Sequence, residues 1–138
     1  MPSGAGCPGR STSEKGSRVR VRAARGAIVV GTDHEEAVLG STQRLLEEMI
    51  ERNEVATDDL VSILFTATED LRSAFPAEAA RRIGLGFVPL LCAREISVAG
   101  AMPSVVRVLM HFHTERGLRE VVHVYLDGAE ALRDDLEA

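Results

Sequence analysis

Five polar side chains stand inside or at the ends of strand-like apolar runs. A polar group placed where burial is expected needs a partner or a ligand. Arg107 interrupts Val105-Val-Arg-Val-Leu109, and Tyr125 closes Val121-Val-His-Val-Tyr125. Arg25 falls on the parity of Val19, Val21 and Ala23, while Cys92 and Glu95 end the run that begins at Phe87. A guanidinium beside valines is costly unless it pairs with a carboxylate such as Glu95 or stays near a ligand anion. Arg25 has the further option of a solvated strand edge. Simple alternation puts Cys92 and Glu95 on opposite faces, so both line one site only if the strand bulges or breaks near its end. Taken alone, Cys92 also fits a small core residue. Arginines, one carboxylate, one thiol and one phenol, with no evident nucleophile, base or metal, suit an anionic small molecule. They suit a reaction that needs orientation and charge stabilisation without covalent chemistry.

Other chemistries find less support. His111-x-His113 share a strand face and, with His123 and Cys92, suggest zinc and a metal-dependent hydrolase. No carboxylate or fourth ligand stands at a spacing that secures such a site. No serine lies in a Gly-x-Ser-x-Gly turn and no phosphate-binding GxxxxGK[ST] loop occurs. Gly4-x-Gly6-x-x-Gly9 has the spacing of a dinucleotide fingerprint but lacks the preceding strand and following helix that give it meaning. A net charge of −5 and a pI near 5.4 argue against a general nucleic-acid binder. The basic start, with Arg10, Lys15, Arg18, Arg20, Arg22 and Arg25 against Glu14, has no interleaved aromatic residue on which bases would stack. Lys15 is the single lysine, so arginine is the default cation and its setting must supply the information. No apolar run approaches the roughly 20 residues of a bilayer helix, and the first 17 residues lack the apolar centre of a secretory signal. These features imply no membrane partner, a cytoplasmic setting, and reduced thiols at Cys7 and Cys92.

The elements that must position these groups are legible from periodicity. At 138 residues the chain has room for one core. Residues 1–17, rich in Gly, Pro and Ser, predict a disordered tail, and 18–138 a single domain. Alternation from Arg18 to Val30 predicts a strand with Arg20 and Arg22 on its solvated face. Asp33 and Glu36 have capping-box spacing ahead of Val38, Leu39, Leu45, Leu46, Met49 and Ile50, a long amphipathic helix ending near Asn53. A turn at Thr57-Asp58-Asp59 leads into a buried strand over Leu60–Thr68. Phe75-Pro76 opens a short helix, with proline at its first position and Gly84 after its end. Further strands are expected over Phe87–Glu95, Val105–Thr114 and Glu120–Leu126, with one or two helical turns from Ala129. The order βαβαβββ predicts an α+β fold, a mixed β-sheet with helices over one face. Two helices cannot hide both faces of a sheet carrying Ile63, Phe65, Leu91, Val106, Val108, Met110 and Phe112. Subunits of a closed homo-oligomer are expected to cover the other.

Six segments, in order, carry a resemblance: Val21-Arg-Ala-Ala-Arg25-Gly-Ala27, Leu64-Phe-Thr-Ala-Thr-Glu-Asp-Leu71, Ala74-Phe-Pro-Ala77, Val88-Pro-Leu-Leu-Cys92-Ala-Arg-Glu95, Arg107-Val-Leu-Met110 and His123-Val-Tyr-Leu126. Together, over about residues 18–136, they resemble the monofunctional chorismate mutases of the trimeric pseudo-α/β-barrel class. The resemblance implies a homotrimer whose sheets enclose a barrel-like core. It also implies cofactor-free rearrangement of chorismate to prephenate in clefts between subunits. Carried over by motif, Arg107 would donate to the ether oxygen, and Glu95 with Leu91, Cys92, Ala93 and Arg94 would hold the ring and its hydroxyl. Arg25 and Tyr125 would grip a side-chain carboxylate, Phe75 would form an apolar wall, and Arg81 and Arg133 would be outer cations. Glu78 departs from the pattern, standing where many relatives have a lysine, and the loop between Ile83 and Phe87 is one residue shorter. A non-catalytic trimer of the same architecture, binding a small anion, is the alternative function.

Overall fold

The structure, a computed structural model, describes residues 18–133. The tail expected over residues 1–17, with Cys7 and the glycine fingerprint, lies outside the described residues. Five strands form one mixed sheet: β1 (Arg20–Val29), β2 (Leu60–Ala67), β3 (Leu90–Arg94), β4 (Val105–Thr114) and β5 (Val124–Leu126). Their spatial order is β3-β2-β4-β1-β5. The central strand β4 runs antiparallel to both neighbours, whereas β2 with β3 and β1 with β5 are parallel pairs. Two helices, α1 (Glu35–Arg52) and α2 (Ala77–Arg82), make the parallel crossovers possible.

The core lies between α1 and one face of the sheet. Val38, Leu39, Leu45, Leu46 and Met49 recur at helical spacing and are fully buried against Ala24, Ile28, Ile63, Phe65, Val108, Met110 and Phe112. Gly26 sits where α1 comes closest to β1, and a Cβ there would run into Met49 Sδ and Leu45. Hence the bare backbone at this position permits the contact. On the opposite face, α1 and α2 are absent. The short 3-10 turn Ala129–Arg133 packs there, with Ala129 and Leu132 against Ala27, Val105 and Tyr125, and Met102 joins the same cluster. Val19, Val21 and Leu91 remain at least half exposed.

Several local expectations need correction. The faces of β1 are the reverse of those read from the sequence: Ala24, Gly26, Ile28 and Val30 face the helix, and Val19, Val21 and Arg25 stand on the open side. Arg22 shares the helix-facing parity, paired with Phe112 on β4, and its Nε donates to the Arg116 carbonyl. Asp33 does not cap α1; His34 occupies the N-cap with no side-chain cap bond. Asp33 Oδ1 instead accepts the backbone N–H groups of Arg72 and Ser73, both at 3.0 Å, tying the segment before Phe75 to the start of α1. Pro76 is the N-cap of α2 rather than its first helical residue. β3 begins at Leu90, after a turn through Phe87, and β5 is reduced to Val124–Leu126, with Leu118–Glu120 forming a 3-10 turn.

Asn53, just beyond α1, is 1% exposed and fully engaged. Its Nδ2 donates to the Met49 and Val122 carbonyls and its Oδ1 accepts the Val122 N–H at 2.8 Å. One side-chain amide thereby fastens the end of the helix to the segment entering β5. Asn53→Ala leaves the Val122 N–H and carbonyl without these partners, at about 1–3 kcal/mol for each group left unsatisfied. Urea denaturation is expected to show a loss in that range or above it, with an unchanged m-value.

Candidate active site on the open sheet face

The register of the central strands brings the polar residues together. Thr66 on β2 stands across from Arg107 on β4, which stands across from Ala27 on β1, which in turn pairs with Tyr125 on β5. All four lie on the face that α1 leaves uncovered. Glu95 follows the end of β3, and its N–H donates to the Ala67 carbonyl at 3.0 Å, which continues the β2–β3 ladder by one residue. This anchor directs the Glu95 side chain onto the same face. Its Oε2 accepts from Arg107 Nε at 2.8 Å and from Thr66 Oγ1 at 2.8 Å. The ion pair is asymmetric, with Glu95 15% and Arg107 41% exposed. Arg107 has one nitrogen committed to the carboxylate and no partner for its two η nitrogens among the described residues. The carboxylate partner considered from sequence is therefore present, and the guanidinium is still open to a ligand.

Beside this pair lies a cavity of about 310 Å³ lined by Arg25, Leu64, Thr66, Arg107, Tyr125 and Leu132. Arg25 is exposed, with its backbone N–H donating to His123 Nδ1 at 2.9 Å. Burial holds the His123 imidazole below its usual pKa, and the charges of Arg25 and Arg133 push it the same way. His123 accordingly fits a neutral acceptor that fixes the backbone at Arg25. Sequence spacing pointed only to its use as a metal ligand.

The remaining candidates occupy other surfaces. A cleft of about 650 Å³ beside α2 is lined in part by Leu71, Phe75, Glu78, Cys92, Ala93 and Arg94. Cys92 pairs with Phe65, a helix-facing residue, so it lies on the side opposite Glu95, as alternation requires. Leu91 and Ala93 follow Leu64 and Thr66 onto the open face. Arg81 is in ion pair with Glu78 at 2.9 Å, both about half exposed. Arg133 is exposed at the end of the turn that covers part of the open face. His111 accepts or donates at 3.2 Å with Ser62 Oγ, and no three His, Cys, Asp or Glu side chains among the described residues come together as a metal site.

Over most of its length the chain is similar to chorismate mutases. The family model described as chorismate mutase type I matches residues 21–136. The chorismate mutase AroH of Thermus thermophilus is 50% identical over 119 residues, covering 86% of this chain and 98% of that protein. The chorismate mutase AroH of Bacillus subtilis (strain 168) is 40% identical over 117 residues, 84% and 92% of the two chains. A solved chorismate mutase from Clostridium thermocellum superposes with a TM-score of 0.78 at 43% identity, over 79% of this chain and 97% of that one.

The depressed His123 pKa has a consequence for stability. The folded chain binds that proton less readily than the unfolded chain, whose histidine titrates near about 6.5. Stability contributed by neutral His123 is present above that value, declines as pH falls through it, and is gone below the depressed folded value. Denaturation midpoints measured between about pH 8 and pH 5 are expected to fall less steeply in His123→Gln than in the parent chain.

Proposed function

The chain belongs to the type I chorismate mutases, and on that premise we propose a site completed between the subunits of a homotrimer, with Arg107 and Glu95 at its centre. The protein is an isomerase of aromatic amino-acid biosynthesis, converting chorismate to prephenate. One carbon–oxygen bond breaks and one carbon–carbon bond forms within a single molecule, so nothing is transferred to the protein. What the protein must supply is a compact substrate conformation and compensation for charge that collects on the departing ether oxygen.

The observation that carries the assignment of roles is the Arg107–Glu95 pair on the open face. Glu95 fixes the guanidinium through Nε, so the η nitrogens meet the ether oxygen without having to be ordered during the reaction. A preorganised donor of this kind contributes about 3–4 kcal/mol, or roughly 10²–10³ in rate. Glu95 Oε1 has no partner among the described residues, and we assign it to the ring hydroxyl and the developing positive character of the ring. Arg25 and Tyr125, lining the same cavity, hold a side-chain carboxylate. Phe75, Cys92, Ala93 and Arg94 line the second cleft, and with Leu91 they contribute the wall from a neighbouring subunit. Arg81 and Arg133 draw in the dianion.

Two features support the trimer. The candidate residues are divided between two sides of the sheet, so one small substrate reaches both sets only across a boundary between chains. The open face also carries exposed Val19, Val21 and Leu91, an apolar surface that a closed assembly buries. We place this single domain, residues 18–138, in the cytoplasm. Among the described residues no helix is long and apolar enough to cross a membrane.

In chelator, the purified protein is expected to consume chorismate with formation of prephenate, read as loss of chorismate absorbance and acid conversion of the product to phenylpyruvate. Arg107→Ala is expected to lower kcat by at least about 10²–10³ with the sedimentation coefficient unchanged; undiminished turnover would refute the role given to Arg107. Glu78→Gln releases Arg81 from its exposed ion pair and is expected to lower KM for the dianion, an effect that fades at high salt.

A further inference from the structure

We propose that Thr66 is the positioning residue for Glu95, holding its carboxylate in place independently of Arg107. The inference rests on the site reading above and extends it to a residue to which that reading gives no role, although it lines the same cavity. Thr66 is half-buried on β2, directly across from Arg107 on β4 and from Ala93 on β3. Glu95 lies just past the end of β3, where a backbone bond to Ala67 fixes its Cα and leaves three side-chain torsions free. A single bond from Arg107 would leave the carboxylate to follow the guanidinium wherever a ligand drew it. The Thr66 hydroxyl removes that freedom. Its Oγ1 donates at 2.8 Å to Oε2, the oxygen that also accepts Arg107 Nε at 2.8 Å.

Both protein donors therefore load one carboxylate oxygen and leave Oε1 directed to ligand. The two anchors come from different strands of the sheet, each rigid through its own ladder bonds. When the guanidinium adjusts to charge forming on the substrate, Thr66 keeps the carboxylate from moving with it. A β-branched threonine suits this position because its χ1 is restricted, which helps hold the hydroxyl toward Glu95. No other hydroxyl bonds Glu95 among the described residues.

The test compares Thr66→Val, which keeps shape and strand preference but removes the donor, with Thr66→Ser, which restores a donor. Both are measured for kcat and KM separately, with thermal unfolding and sedimentation as controls, and Thr66→Val is also combined with Glu95→Gln. Thr66→Val is expected to lower kcat about tenfold or more, the size expected when a hydrogen bond to a charged group is lost, with KM changed much less. Thr66→Ser is expected to recover most of that loss. In the Glu95→Gln background, Thr66→Val is expected to lower kcat far less than it does alone. The proposal is overturned if Thr66→Val keeps kcat within twofold, if Thr66→Ser folds but fails to recover, or if the two losses simply multiply. Those results with Glu95→Gln still impaired would leave the site reading standing. An unimpaired Glu95→Gln would overturn the site reading together with the proposal.

Discussion

The ion pair between Arg107 and Glu95 sets the requirements that the rest of the structure meets. A guanidinium on the face of a sheet needs an acceptor, and the acceptor must be held so that the pair does not collapse or swing into solvent. β4 lies in the middle of five strands, paired over ten residues with β1 on one edge and with β2 on the other. Arg107 therefore rises from the most constrained backbone in the fold. Glu95 comes from the far side of β2, one strand away, and is brought within reach because the β2–β3 ladder continues past the nominal end of β3. Had the register slipped by one residue, Arg107 would point into the core beneath α1. The buried side chains of Val106, Val108 and Met110 hold that register.

The second constraint is the shortage of cover. α1 supplies apolar side chains for one face, and the close approach at Gly26 shows how tightly that layer is closed. Among the described residues the other face has the turn at Ala129–Arg133 and Met102, which cover the end near Ala27 and leave the rest open beside Arg25, Leu64 and Leu109. An open face is what a site for a small dianion needs from a single chain: cations accessible to ligand, apolar surface around them, and a neighbour to exclude water. Buried beneath a second helix layer, the same arginines would have to be neutralised by more carboxylates and would have no charge left for a substrate.

Much of this was legible in the sequence, for identifiable reasons. Strand β4 and helix α1 are long and strongly periodic, and the structure places them over the residues their patterns predict, with Arg107 and Glu95 within bonding distance of each other. Short-range signals were less informative where a tertiary contact competed for the same group. Asp33 has an acceptor that serves α1 or the segment at Arg72 and Ser73 equally well, and the latter takes it. The inward face of β1 is not the one its alternation suggests, because Arg22 looks solvated from its neighbours in sequence, although it shares the helix-facing parity and bonds the Arg116 carbonyl. Thr66 carries no signal of its own, and the spacing of His123 points to a metal rather than to the backbone at Arg25 that it bonds. Threonine in a strand is ordinary, and the pairing that gives Thr66 its partner joins residues 29 apart.

Differences in exposure within the pair bear on how the site would work. Glu95 is nearly shielded while Arg107 is not, so water screens the cation more than the anion in a single chain. Covering the face would remove that screening, and each unit of charge would act across a medium of lower effective dielectric. The Arg107–Glu95 attraction and the attraction of Arg107 for a substrate oxygen would grow together, but only the second changes as the carbon–oxygen bond breaks. Thus a neighbouring subunit that contributed no donor at all would still strengthen the interaction that distinguishes transition state from ground state. In this chain, the proposed oligomerisation and the electrostatic stabilisation would follow from the same uncovered sheet face.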